Sequence, residues 1–348
     1  MTRARSSVGC RAACAAILLA VLALALAPSP GRANDSTGFM GTHGLELART
    51  DAIRMVSEDL FIGPERIAVD YVFRNITAAP VSTLVIFPFP PVDMSMTPTA
   101  ANWAFPAGGR EFLGFETVVD GRPVPTSLER RAFFRGEEVT DVLRAAGLLD
   151  FSPWADASGN PSAYERVAAG LPPAVVADLV RRGLLGEGEV SETDPQWTLA
   201  LKAWWTQVFP PGRDVRVRHV YRPFVGTALV EDPGAVDGRQ PVGRFLEEVR
   251  PDDDRYCIDP PTRRGLQAMR RQAPTGVFTA MEIAYVLTTG ANWHGPIGRF
   301  RMTLDKGRPE NILSLCWSGL RRTGPTRFEF EARDWTPDRD VRLLILAR

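Results

Sequence analysis

The chain has 348 residues and a mass of 38.2 kDa, and 45% of its residues are hydrophobic. This apolar content is enough for one large core or two smaller ones, which excludes a disordered or collagen-like chain. The 41 basic and 41 acidic residues balance, but four of the basic residues lie in the first 33 positions, where no acidic residue occurs. The rest of the chain therefore carries an excess of acidic groups. This argues against binding to nucleic acid or to an anionic membrane, since both need a cationic face.

The first 33 residues have the pattern of a secretory signal peptide. Three arginines precede the apolar run Ala12–Ala27, and the small-x-small exit Gly31-Arg-Ala33 follows. This pattern predicts cleavage after Ala33 and a mature protein in the periplasm or outside the cell. The alternative is an uncleaved anchor, although the run is shorter than the roughly 20 residues that a spanning helix needs. No other segment approaches that length, so we expect no transmembrane segment after cleavage.

The next part of the chain reads as short strands. Ile67, Val69, Tyr71 and Phe73 alternate with more polar residues, which is the period of a half-buried strand. By similar reasoning the sequence predicts strands at residues 66–75, 84–89, 112–119 and 215–221. Asp120-Gly121 predicts a tight hairpin turn after the third of these strands.

Between these strands the periodicity changes to that of helices. Residues 139–146 and 175–180 have apolar side chains at helical spacing, and Gly-Leu-Leu follows each segment closely, a sequence typical of a helix end. A third amphipathic stretch, Trp197–Val208, is predicted to be helical as well. After an acidic loop at 231–237, further strands are predicted at residues 279–288, 300–305, 311–316, 328–332 and 341–346.

These elements predict a mainly β fold with an α insertion. We expect two antiparallel β-sandwich-like portions. The first comprises residues 34–126 plus 213–232, with the helical insertion at 127–212, and the second comprises residues 240–348.

Two cysteines remain after the predicted cleavage, Cys257 and Cys316. An even pair in an oxidising compartment predicts a disulfide. The alternative is a nucleophilic thiol, but no neighbouring residue indicates a lowered thiol pKa.

The sequence lacks the motifs of familiar enzymes. It has no phosphate-binding loop, no dinucleotide fingerprint, no nucleophile elbow, no Ser-x-x-Lys acylation motif and no His-Glu-x-x-His zinc motif. We therefore expect no cofactor and no metal site. The acidic sets 252–254 and Asp334, Asp338, Asp340 could offer oxygen ligands to calcium, but they lack the glycine and closing glutamate of an EF-hand loop, which favours solvated loops.

The candidate binding residues are aromatic and basic side chains. Trp293 and His294 lie in a loop held by Gly295-Pro296, where they could stack on a ligand and donate a hydrogen bond. Alternatively, Trp293 closes the end of a sandwich. Arg299 follows closely, and Trp204 and Trp205 either form a partner surface or pack in the core. His219 lies on an apolar strand face, which favours a core histidine with satisfied nitrogens.

Three stretches resemble a family of exported bacterial proteins known as domain-of-unknown-function family 4424. They are Met55–Leu60 with Val69–Asn75 and Phe87–Pro90; Trp204–Pro210 with His219–Pro223; and Asn292–Phe300 continuing through Cys316 to Pro337. The resemblance extends over essentially the whole mature chain. It implies a signal peptide and a β-rich exported fold, and it brings no activity, cofactor or catalytic residue.

Two functions remain open from the sequence. The favoured one is a non-catalytic binding or interaction module in the cell envelope, whose ligand or protein partner the sequence does not identify; a scaffolding role is a variant of it. The alternative is a periplasmic hydrolase or glycan-active enzyme that combines His294 or His219 with carboxylates such as Glu282 or Asp334. A pair of carboxylates at a suitable separation would be its signature.

Overall fold

The computed structural model describes residues 35–42, 44–95, 114–149, 163–186, 194–230, 255–272 and 277–348. The predicted signal peptide, the loop at 231–237 and the acidic run 252–254 lie outside the described residues. The described residues all belong to one compact unit.

Short strands dominate the first part of the chain. They are β1 Ser36–Gly41, β2 Gly44–Ala48, β3 Ile53–Ile62, β4 Ile67–Asn75, β5 Val81–Pro88, β6 Val92–Asp93, β7 Glu116–Val119, β8 Arg122–Pro123, β9 Ser127–Phe134 and β10 Glu137–Glu138. In the described residues three helices follow: α1 Thr140–Ala145, α2 Ala163–Ala169 and α3 Pro173–Arg181.

The second part returns to strands. They are β11 Thr198–Phe209, β12 Asp214–Tyr221, β13 Val225–Val230, β14 Phe278–Tyr285, β15 Ile297–Asp305, β16 Ile312–Ser314, β17 Arg321–Arg322, β18 Arg327–Trp335 and β19 Val341–Ala347. Helix α4 covers Pro260–Gln272, and a 3₁₀ turn covers Thr288–Asn292.

The described strands form three sheets. Sheet A has the order β10-β9-β11-β5-β1-β2, with β6 also paired to β11; sheet B has the order β17-β18-β15-β3-β4-β12-β7-β8; sheet C has the order β13-β14-β19-β16. All strand pairs are antiparallel except β3 and β15, which run parallel. The mainly β, sandwich-like class predicted from the sequence is therefore confirmed.

One apolar core joins the three sheets. It contains inward side chains of sheet A such as Phe87, of sheet B such as Phe73, and of sheet C such as Ile345. A second, smaller cluster lies between sheet C and α4, where Leu266 and Met269 pack against Leu344 and its neighbours. Because β19 is covered on both faces, its sequence is a continuous apolar run rather than an alternating one.

The two predicted helix ends have the expected geometry. Gly147 and Gly183 both have φ of +72°, a conformation that glycine adopts without steric cost. The amide of Leu148 donates to the carbonyl of Leu143 at 2.9 Å, and the amide of Leu184 does the same to Leu179 at 2.9 Å. Each helix thus closes with the glycine-type cap that the sequence predicts.

The helix predicted at Trp197–Val208 is wrong, because Thr198–Phe209 forms β11. This strand pairs with β5 on one side and β9 on the other, so its backbone hydrogen bonds are made within the sheet. Its side chains alternate, with Leu199, Leu201, Ala203 and Trp205 buried. Burial of one face against the core overrides the helix propensity of its alanine, leucine and lysine residues.

Candidate functional site

Trp293 lies in the core rather than at the surface. Its side chain is 3% exposed, and its ring centroid is 4.4 Å from that of Phe73. Its indole Nε1–H donates to the backbone carbonyl of Asp35 at 2.6 Å. The structure thus places Trp293 in the core, packed on Phe73 of β4, rather than at an exposed loop tip. His294, its neighbour, is half-exposed, with Nδ1 3.9 Å from a carboxylate oxygen of Asp51.

The two adjacent tryptophans point to opposite faces of β11, as successive strand residues do. Trp205 is 3% exposed and lies in the core, with its ring 5.2 Å from that of His219. Trp204 is partly exposed on the outer face of sheet A.

The disulfide between Cys257 and Cys316 is present, with a Cα–Cα distance of 4.9 Å. It ties the segment before α4 to the segment after β16. The nucleophilic thiol that the sequence left as an alternative is therefore not available in the oxidised protein.

His219 forms a buried polar chain with Asp35 and Thr117. Its Nε2 is 3.1 Å from a carboxylate oxygen of Asp35, and its Nδ1 is 3.0 Å from the hydroxyl of Thr117. Burial raises the pKa of Asp35, and the neighbouring imidazole opposes that effect. These three side chains have the composition of a hydrolase triad. However, the side chains of His219 and Asp35 have no exposed surface, so a substrate does not reach them in this conformation. Both ring nitrogens have partners, as expected of a core histidine.

The two other carboxylates of the hydrolase hypothesis each pair with an arginine. Glu282 is buried on β14 beside Arg342, and Asp334 is exposed and pairs with Arg54. Glu282, Asp334, His219 and His294 are not among the residues that line the cleft described next. Among the described residues there is also no group of three or more His, Cys, Asp or Glu side chains placed to hold a metal ion.

A cleft of about 430 Å³ lies on the outer face of sheet B. We call it the arginine cleft, because four of its lining residues are arginines. It is lined by Ser57, Glu58, Asp59, Asp70, Tyr71, Val72, Val118, Gly121, Arg216, Val217, Arg218, Arg299 and Arg301. Of the candidate binding residues predicted from the sequence, only Arg299 lies here.

Strand register arranges these side chains in two parallel rows across four strands. The acid row runs Arg301, Asp59, Asp70, Arg218 along β15, β3, β4 and β12. The arginine row lies two residues away and runs Arg299, Ser57, Val72, Arg216 along the same strands. Side chains two apart on a strand share a face, so both rows point outward into the cleft.

The acid row places two carboxylates directly opposite each other. Asp59 and Asp70 are register partners on β3 and β4, a pairing that is destabilising for like charges. Burial is the largest cause of a raised pKa at Asp59; Arg301 lowers that pKa and Asp70 raises it further. Arg301 lies 3.7 Å from Asp59, and Arg218 lies 3.8 Å from Asp70. The row is thus a negative centre with a guanidinium at each end.

The arginine row has the opposite arrangement. Two guanidinium groups stand at its ends, and the small side chains of Ser57 and Val72 lie between them. Arg299 is 3.9 Å from Glu331, whereas Arg216 has no salt bridge to any part of the chain that the structure describes. Guanidinium groups bind carboxylates and phosphates well, so this row is suited to an anion.

Sequence reasoning missed most of this site. The alternation that identified buried strand faces also marks Asp70, Arg216 and Arg218 as outward residues, but it does not show which strands are neighbours. β3 and β15 pair across more than half the chain, and only the folded sheet brings their charged faces together.

The chain belongs to the family described as Domain of unknown function (DUF4424), whose model matches residues 33–344. No curated protein matches the chain. Within the described residues, no helix is long and apolar enough to cross a membrane.

Several solved structures are similar to parts of the chain. One is a protein of Legionella pneumophila described as a candidate nutrient binding protein, with 13% identity, a TM-score of 0.39 and coverage of 91% of this chain and 72% of that one. Two are structures of an M1 zinc metallopeptidase of Deinococcus radiodurans, one of them a mutant bound to a Tyr-Ser-Ala substrate. They have 9% identity and TM-scores of 0.26 and 0.23; the alignments cover 86% of this chain and 44% and 43% of those chains. TM-scores this low support no inference about the function of this protein.

Proposed function

We propose that this protein is an exported, non-catalytic binding module whose small charged ligand binds in the arginine cleft. The observation that carries the proposal is the convergence of four arginines and two aspartates from four strands on one cleft of about 430 Å³. Loops are not needed to hold the site, because its side chains project from paired strands in the centre of sheet B. A rigid sheet favours binding, since little conformational entropy is lost when the ligand arrives.

The test is a thermal-shift screen of the purified, oxidised protein against citrate, succinate, inorganic phosphate, L-alanine, L-alanyl-L-alanine and maltose. A ligand at 100 times its Kd should stabilise the protein by about 2.7 kcal/mol. We expect stabilisation by at least one charged compound and none by maltose. The double variant Arg216→Gln/Arg299→Gln should lose the shift. The matched control, Arg321→Gln, changes an exposed arginine on the edge strand β17 and should keep it.

Two results would contradict the proposal. One is an equal shift in the double variant, which would place the ligand outside the cleft. The other is the absence of any shift across the charged compounds. Recovery of the bound compound chemically unchanged after long incubation tests the non-catalytic part, because steady turnover would show an enzyme.

Export is a separate part of the proposal and has its own test. Fractionation of the native cells should place the protein in the periplasm or the medium, and amino-terminal sequencing should begin at Asn34. A cytoplasmic protein with an intact amino terminus would contradict both.

A glycan-active enzyme is the second candidate, favoured by the paired Asp59 and Asp70. Retaining glycosidases use a pair of neighbouring carboxyl groups, one of which has a raised pKa, and the pKa of Asp59 is raised. However, the two side chains are 51% and 55% exposed, whereas a catalytic acid is normally held in a drier, apolar setting. Hydrolysis of aryl glycosides that is abolished in both Asp59→Asn and Asp70→Asn would establish the enzyme.

A further inference from the structure

We infer that the ligand of the arginine cleft is a zwitterion of dipeptide size, with its ammonium group on the acid row and its carboxylate on the arginine row. This inference rests on the proposed function and goes further by assigning the chemical class of the ligand. This assignment depends on where the positive and negative side chains lie within the cleft, not on the net charge of the cleft.

The acid row provides a site for a cation. Asp59 and Asp70 face each other across neighbouring strands, and each has its arginine at 3.7 Å or more. Charge-assisted hydrogen bonds between nitrogen and carboxylate oxygen are about 2.7–2.9 Å long, so these two pairs are loose. An ammonium group between the two carboxylates would make short bonds to both and remove their mutual repulsion.

The arginine row provides a site for an anion at the opposite end of the cleft. Ser57 and Val72 leave room between the guanidinium groups of Arg216 and Arg299. Arg216 has no salt bridge within the described residues, and the only described salt bridge of Arg299 is the 3.9 Å contact with Glu331. A carboxylate here would also lie within reach of the Ser57 hydroxyl, a good donor to an anion.

The distance between the rows sets the length of the ligand. The rows are two residues apart on each strand, which is about 6.7 Å. An extended dipeptide advances by the same two residues and therefore places its terminal ammonium and carboxylate about one row spacing apart. A free α-amino acid carries both charges on one Cα and spans a single residue, so it reaches one row at a time.

The open side of the cleft indicates low selectivity for side chains. The ligand's charged ends face the sheet, while its side chains point along the aliphatic stems of the surrounding arginines or toward solvent. Long basic side chains cover apolar groups with these stems without demanding one shape. We therefore expect dipeptides of different composition to bind with similar affinity.

The test is calorimetric titration of the oxidised protein with L-alanyl-L-alanine and three relatives that each lack one feature. N-acetyl-L-alanyl-L-alanine lacks the cation, L-alanyl-L-alanine amide lacks the anion, and L-alanine lacks the length. Each loss should weaken binding by about tenfold or more, as expected for removal of a charged hydrogen-bonded pair.

Variants assign each charge to its row. Asp59→Asn should weaken the binding of L-alanyl-L-alanine but leave the already weaker binding of the N-acetyl compound unchanged. Arg216→Gln should weaken the binding of L-alanyl-L-alanine but not the binding of its amide. This is a double-mutant cycle between protein and ligand, and a non-additive loss shows a direct interaction. Arg321→Gln, the control on β17, should bind all four compounds as the native protein does. Affinity should also fall as the pH is lowered through the titration of Asp59.

The outcomes separate this inference from the proposed function. If the N-acetyl compound or succinate binds as tightly as the dipeptide, the cleft binds anions and the zwitterion is wrong. If L-alanine matches the dipeptide, the length argument is wrong. If only another charged compound of the thermal-shift screen binds, and the double arginine variant loses it, the proposed function stands and the inference fails. If no charged compound binds, both fail.

Discussion

Replacement of Trp293 distinguishes a structural tryptophan from a ligand-binding one. The side chain is 3% exposed, packs against Phe73 at 4.4 Å and donates from Nε1 to the carbonyl of Asp35 at 2.6 Å. Trp293→Ala removes a large buried ring and leaves that carbonyl without its indole donor. Truncation of a buried tryptophan or phenylalanine costs about 3–5 kcal/mol, and the lost hydrogen bond places this site in the upper half of that range.

Equilibrium unfolding in urea, followed by tryptophan fluorescence and circular dichroism, measures this loss. The matched control is Val208→Ala, because Val208 is 51% exposed on β11 and its truncation should change the free energy of unfolding by no more than about 0.5 kcal/mol. The folded Trp293→Ala protein should still bind ligand in the arginine cleft with native affinity. A loss below about 1 kcal/mol, or a selective loss of ligand binding, would refute the structural role.

Three further predictions concern the fold. Cys257→Ser/Cys316→Ser should lower the free energy of unfolding by about 4 kcal/mol, because the disulfide closes a loop with a sequence separation of 59; equal urea midpoints for the native and variant proteins would contradict this. Thr117→Val keeps the shape of the side chain but leaves His219 Nδ1 without the hydroxyl at 3.0 Å, so urea unfolding should show a loss of about 1–3 kcal/mol, and an unchanged stability would show that the polar chain is dispensable. Burial raises the pKa of Asp305, but hydrogen bonds from Gly307, Thr326 and Arg327 outweigh that effect and leave the pKa lowered. The ionised Asp305 therefore stabilises the folded protein fully above the unfolded pKa of 3.8, and this stabilisation is lost as the pH falls through the folded pKa. Asp305→Asn should accordingly cost more stability at pH 6 than at pH 3.

Local patterns predicted most elements of the fold. The strands around Tyr71 and His219 follow from side-chain alternation, and the ends of α1 and α3 follow from glycines that adopt a positive φ. β11 was misassigned because its residue types favour a helix, while its burial follows the alternation of a strand between two others. Propensity acts within a few residues, whereas pairing with β5 and β9 is decided by the whole sheet.

The site was less predictable than the fold for a related reason. Trp293 and Trp205 are candidate binding residues from the sequence because they are large aromatic side chains, but both are buried in the core. Arg299 was the one candidate in the cleft, and its partners in the two rows come from β3, β4 and β12. The parallel pairing of β3 with β15 creates the site, and no local pattern in either strand specifies its partner.

The most direct test of the central claim is a titration of the isotope-labelled, oxidised protein with L-alanyl-L-alanine, followed by amide chemical shifts. We predict saturable shifts concentrated at residues 57–59, 70–72, 216–218 and 299–301, with the amides around Trp204 and His294 unaffected. Shifts centred on Trp204 or His294 instead, or no saturable shift at any amide, would contradict the assignment of the arginine cleft as the ligand site.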